Sequence, residues 1–229
     1  MSAMKPVPFI VEIAIYFLLS MVTFAMLLTI TQYTSFATNV GFLKLKQEYL
    51  GIRIWKIAFY IHVFSAILAL MAGFTQFSNY VLKEHRSLHK IVGKIYAYDI
   101  MIVNFPAGLI MAIYANGHLP SKIAFLILDI LWFAFTYKAV VAARKGDIKT
   151  HRQFMIRSYA LTFSAITLRL WKIVFTHTLP LDIPTIYMVD AWMGFVPNLL
   201  FAEWYIRTRL NKIKINDSSF HGQKTKKIQ

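Results

Sequence analysis

Apolar residues run along this chain in six blocks, 8–31, 54–80, 91–115, 122–143, 153–177 and 184–206, with short polar segments between them. Each block is long enough to cross about 30 Å of hydrocarbon as a helix rising about 1.5 Å per residue. A soluble core of this size cannot use unbroken apolar runs of twenty residues or more, and no polar linker divides the series. The pattern predicts an all-α fold: a polytopic transmembrane helical bundle of six spans, forming one domain over residues 1–210. The first block has no small-residue cleavage site, so it reads as a retained anchor and not as a signal peptide. Residues 211–229 are polar and lysine-rich and read as a disordered cytoplasmic tail.

The polar segments fix the expected orientation. With the N-terminus inside, the inner segments carry Lys5; Lys83, Arg86, Lys90 and Lys94; Arg144, Lys145, Lys149, Arg152 and Arg157; and seven cations after residue 206. The outer segments carry Lys44, Lys46, Arg53, Lys56 and Lys122. This positive-inside bias predicts a multi-pass protein of the cell (inner) membrane with both termini cytoplasmic. The net charge of +15 then reflects topology and contact with anionic lipid, and no nucleic-acid partner is expected. Within the first outer loop, Phe42, Leu45, Tyr49 and Ile54 have helical spacing, which fits a short interfacial helix as well as an irregular loop. The chain has no cysteine, which excludes disulfides, thiolate metal ligands and cysteine nucleophiles.

Ionisable residues inside apolar blocks are costly and usually face a bundle interior or a site. Four of them, His62, Asp129, Arg169 and Asp190, fall at similar depth in the outer half. Asp129 and Arg169, with Asp190, are expected to form a buried ion pair, which either fixes helix register or lines a path. In the second block, His62, Ala66, Ala69, Gly73 and Gln76 share one helix face. Such a stripe suits close helix packing and also leaves room for a flat ring.

The inner half holds a second polar group. "HKIVGKIYA" (89–97) is echoed by "HRQFMIRSYA" (151–160), which suggests an internal two-helix repeat. His89 and His151 on different helices fit the axial ligands of a haem b, with Gly93 giving ring clearance and Lys90, Lys94, Arg152 and Arg157 facing the propionates. Gln76, Tyr96 and Tyr159 stand in the same neighbourhood. His85, His89 and His151, with Asp99, fit a metal site instead, although no HExxH motif is present. Orientation bias alone also places histidines and cations here.

These stretches carry a resemblance. "HVFSAILALMAGFTQF", "LHKIVGKIYAYD" and "GDIKTHRQFMIRSYALTFSAITLRLW" resemble the predicted bacterial membrane proteins of domain-of-unknown-function family 2306, over roughly residues 56 to 172. The resemblance implies a multispan helical bundle and gives as pattern residues His62, Gln76, His89, Gly93, Tyr96, His151, Arg152, Met155, Arg157, Tyr159 and Arg169. Phe154 stands where the pattern often has Trp. It implies no activity. A looser likeness is to transmembrane b-type cytochromes, which carry a histidine pair per haem. Here the outer side offers His62 with His118 and His177 only in or near loops, so one haem is the expected count.

Four functions stay open on these residues. The first is a haem-binding redox protein exchanging electrons with a quinone or a redox partner. The second is a small-molecule or proton transporter lined by His62, Asp129, Arg169 and Asp190, with Pro106 and Pro197 breaking its helices, which at six spans favours a homo-oligomer. The third is a metal-dependent membrane hydrolase, and the fourth a non-catalytic assembly factor.

Overall fold

The computed structural model describes residues 9–210; Lys5 and the tail 211–229 lie outside them. The described residues are helical, with no strand among them. Helices α1 (Phe9–Thr31), α2 (Arg53–Gln76), α3 (Asn79–Glu84), α4 (Arg86–Ile113), α5 (His118–Arg144), α6 (148–178) and α7 (Ile183–Leu210) pack into one bundle. Large apolar side chains such as Phe17, Phe24, Ile102 and Leu200 point outward, as contact with lipid tails requires. The core lies where α4, α5, α6 and α7 meet, around Tyr96, Ile100, Trp132, Leu161, Ala191 and Phe195.

Among the described residues five helices are long and apolar enough to cross a membrane: residues 13–31 of α1, and α2, α4, α5 and α7. The fifth apolar block is different. It forms two 15-residue halves, Ile148–Thr162 and Ser164–Thr178, meeting at Phe163. There is no proline there. Instead Thr162 Oγ1 bonds the carbonyl of Ser158 and Ser164 Oγ that of Leu161, a local competition with the helix ladder that bends helices. The bent α6 still runs from one end of the bundle to the other. His151 near its start touches the Ala139 carbonyl near the end of α5, while Lys172 near its far end reaches Tyr187, whose carbonyl bonds Ser121 at the start of α5.

Two further irregularities lie at depth. Residues Asp99–Asn104 of α4 form a π-helical stretch leading into Pro106, which has no N–H for the ladder. Asn104, fully buried, donates to the Asp99 carbonyl at 3.3 Å and accepts from Ser65 at 3.2 Å. In α7 the helix breaks after Gly194, before Pro197. Asn198 Nδ2 lies 3.2 Å from the Gly194 carbonyl, 3.2 Å from that of Ala160 and 3.0 Å from Thr167 Oγ1, joining the broken α7 to the bent α6. Non-helical backbone at membrane depth persists only where such partners satisfy it. Asn198→Ala should therefore lower stability by about 1–3 kcal/mol, read as an earlier thermal unfolding in detergent.

The first loop is neither an α-helix nor irregular. It forms two short 3₁₀ turns, Gly41–Leu45 and Gln47–Tyr49, and folds as a strap onto α2. Leu43 and Lys46 are its buried positions, and Leu45 is exposed. Leu43 packs with Tyr33, Trp55 and Phe59.

Candidate functional site

Under the strap, α1, α2, α4, α5, α6 and α7 border a cavity of about 480 Å³. Its walls are mostly apolar, with Trp55, Phe59, Phe125 and Trp132 contributing rings. His62 from α2, Asp129 from α5 and Arg169 from α6 all line it, as does Ala66 from the small-residue stripe. Three of the four polar residues expected at this depth are thus gathered on one cavity. The fourth, Asp190, is fully buried and is not among the lining residues.

The expected ion pair is not formed. Among the described residues the salt bridge is Arg157 with Glu203. Arg169 instead bonds the carbonyl of Ala165 one turn back on its own helix. Asp129 lies against α4 at Gly108, where a Cβ would stand 2.6 Å from its Oδ1, and its Oδ2 has no partner. Both Asp190 oxygens and His62 Nδ1 are also buried without a partner. Buried polar groups are normally bonded, so these four atoms are exceptions.

Two cations missed by the depth argument complete the lining, Lys46 and Lys172. Lys172 donates to Tyr187 Oη at 2.6 Å and lies 4.5 Å from the ring centroid. Its signal was present, one turn beyond Arg169 on the same face of α6. Lys46 is 1% exposed, bonds the Tyr114 carbonyl at the end of α4 and stands 4.7 Å from the ring centroid of Tyr49. Burial pushes this ammonium down from 10.5 to about 8, with Lys122 adding to the effect and Glu48 opposing it. An opened strap would hold its proton up to the ordinary value. The opened form therefore binds more protons between about pH 8 and pH 10.5, and closure gains stability as pH rises through that window. Thermal unfolding should move upward from pH 8 to pH 10 in the wild type, and this component should be missing in Lys46→Met. The Met variant keeps Tyr49 and Tyr114 in place, so the difference between the two proteins belongs to Lys46.

At the opposite, basic end, the inner residues do not assemble as expected. His89 and His151 lie on the same side and are electrostatic neighbours. His151 Nδ1 is 2.9 Å from the Ala139 carbonyl. The space beside Gly93 is not open, however, because the Gln76 amide oxygen stands 3.0 Å from where a Cβ would be, while Gln76 Nε2 donates to the His89 carbonyl at 3.1 Å. Arg157 is held by Glu203 and lies over Phe154, so it does not face a propionate. Neither cavity described here is lined by His89 or His151. A haem between these two imidazoles does not fit this arrangement.

The metal set fails for a geometric reason as well. Among the described residues no three His, Asp or Glu side chains converge as metal ligands. His85 is exposed at the turn between α3 and α4 with its ring against Tyr80, and Asp99 is buried more than two turns further along α4. Tyr96 and Tyr159 are structural: Tyr96 Oη shares hydrogen bonds with Ser158 at 2.7 Å and Thr162 at 3.0 Å, and Tyr159 Oη donates to the Leu70 carbonyl at 2.8 Å. Arg152 is exposed at the basic end and lines a second cavity. The two echoing histidines do occupy matching places, in the first turns of α4 and α6. The turns that precede them differ, one carrying α3 and the other being the tight turn at Gly146 (φ +75°).

No curated protein and no solved structure matches the chain. A family described as "Predicted membrane protein (DUF2306)" matches residues 59–206, which takes in most of α2 and all of α3 to α6, together with most of α7. The likeness noted in the three motif stretches extends over the whole bundle beyond α1 and the strap, and the chain belongs to the DUF2306 family of membrane proteins.

Proposed function

We propose that the cavity under the strap binds a small lipophilic acid, a carboxylate or phosphate with an apolar tail. The observation that carries this reading is the lining itself. Three cations, Lys46, Arg169 and Lys172, face one carboxylate, Asp129, within aromatic walls. Its volume lies within the range of small-molecule sites, and the three cations keep unused N–H donors for an acidic head. The basic residues of α3, of the first turns of α4 and α6 and of the end of α5 lie at the other end of the bundle, so the positive-inside bias supports an outward-facing cavity and a cytoplasmic basic end.

The test is a titration of the purified protein with decanoate and with decanol, followed by the fluorescence of Trp55 and Trp132, which line the cavity. Saturable quenching by decanoate, at concentrations at least tenfold below those for decanol, is the expected result. Equal response to the two would remove the acidic head from the proposal.

A further inference from the structure

A second cavity, of about 560 Å³, lies in the other half of the bundle between α1, α2, α6 and α7. Its existence follows from how α1 docks. Tyr16 stacks on Phe74 with centroids 6.4 Å apart, and Leu19 packs with Ile67, Leu70 and Ile166. Beside these contacts a groove remains, walled by Leu19, Ile156, Phe163 and Phe201. Asn198 lines it at depth, its Nδ2 taken up by Ala160, Thr167 and Gly194, and the other polar members are unevenly placed. Arg152, in the second turn of α6, and Asn79, at the start of α3, mark the basic end. From Arg152 to Phe163 is eleven residues, about 16 Å of helix, which is about half of a 30 Å hydrocarbon core. The groove therefore spans one leaflet, apolar toward mid-membrane and cationic at the boundary. Lys83 of α3, Arg86 at the start of α4, Lys145 after α5 and Lys149 in the first turn of α6 belong to the same basic end of the bundle.

We infer that this groove holds one acyl chain of an anionic phospholipid, with its phosphate at Arg152. Charge complementarity selects the occupant: a zwitterionic head brings a cation of its own to an already basic rim, and an anionic head does not. The inference is independent of the ligand proposed for the cavity under the strap.

The experiment is native mass spectrometry of the full chain, delipidated in detergent and then offered phosphatidylglycerol or phosphatidylcholine in mixed micelles. One retained phosphatidylglycerol, favoured at least tenfold over phosphatidylcholine, is expected. Arg152→Gln should abolish the preference, and Ala202→Trp, which builds an indole into the groove wall at a buried position and so lowers the melting temperature, should abolish retention of both lipids while leaving the far-ultraviolet circular dichroism of the protein unchanged. Arg152→Gln guards the test should the tryptophan variant fail to fold. Equal retention of the two lipids, or undiminished retention in a folded Ala202→Trp variant, would overturn the inference. So would competition by glycerol phosphate at equal concentration, which would mark a free-phosphate site. Increased lipid binding on deletion of residues 211–229 would show the tail as the occupant and overturn it too.

Discussion

Gly73→Ala should destabilise the bundle by about 1–3 kcal/mol, the usual cost of forcing an extra carbon into a packed interior. A Cβ at this position would stand 1.9 Å from Tyr159 Oη and 2.3 Å from its Cζ. The tyrosine cannot simply swing away, because its hydroxyl donates to the Leu70 carbonyl and its ring lies against Phe77 and Tyr96. The clash involves the ring as well as the hydroxyl, so Tyr159→Phe should relieve little of it. Tyr159→Leu should relieve much more, and the Gly73→Ala/Tyr159→Leu double variant should be less destabilised than the sum of the two single changes. Additive losses in thermal unfolding would mean that α2 and α6 do not meet at this point.

The other large effect is on binding. Arg169→Gln should weaken decanoate by about ten- to a hundredfold, in line with about 1.5–3 kcal/mol for a hydrogen bond to a charged group, and leave decanol unchanged. Arg169 has no carboxylate partner in the cavity, so its removal leaves no opposite charge stranded. In its ionised form Asp129 repels an anionic head, so in an assay at alkaline pH Asp129→Asn should act in the opposite direction and strengthen decanoate. Opposite signs from two residues on one cavity separate a charge-selective site from general loosening of the bundle. If both changes weaken decanoate and decanol alike, they act through the fold.

Run length and composition were enough to read α1, α2, α4, α5 and α7 and their order, because a bilayer imposes a minimum span that few other constraints mimic; the short α3 and the division of the fifth block were not read. The break at Phe163 was hidden, since the block 153–177 has no proline or glycine and only the hydroxyls of Thr162 and Ser164 signal it. Counting residues from the span ends placed His62, Asp129 and Arg169 at one depth, and they do line one cavity. Depth says nothing about rotation, and rotation decides that Arg169 and Asp129 face the same space without touching. Lys46 was unreadable as a site residue for a stronger reason: its burial depends on Tyr114, 68 residues away. At the basic end, pairing His89 with His151 by their echoing contexts located both at the same end of the bundle. Whether a ring could lie between them depended on Gln76, whose amide fills the space that Gly93 leaves. Arg157 had a legible partner, the acid Glu203 in the last apolar block, on a side otherwise dominated by cations.

The chain contains no cysteine, so a single introduced thiol reports on one place alone. Ala66 lines the cavity between His62 and the small residues of α2. In an Ala66→Cys variant, the rates of modification by an anionic and a cationic methanethiosulfonate reagent of similar size measure the local potential directly. A cationic, ligand-binding cavity predicts faster reaction with the anionic reagent and protection of the thiol by decanoate but not by decanol. Faster reaction with the cationic reagent, or a thiol that decanoate leaves unprotected, would contradict it.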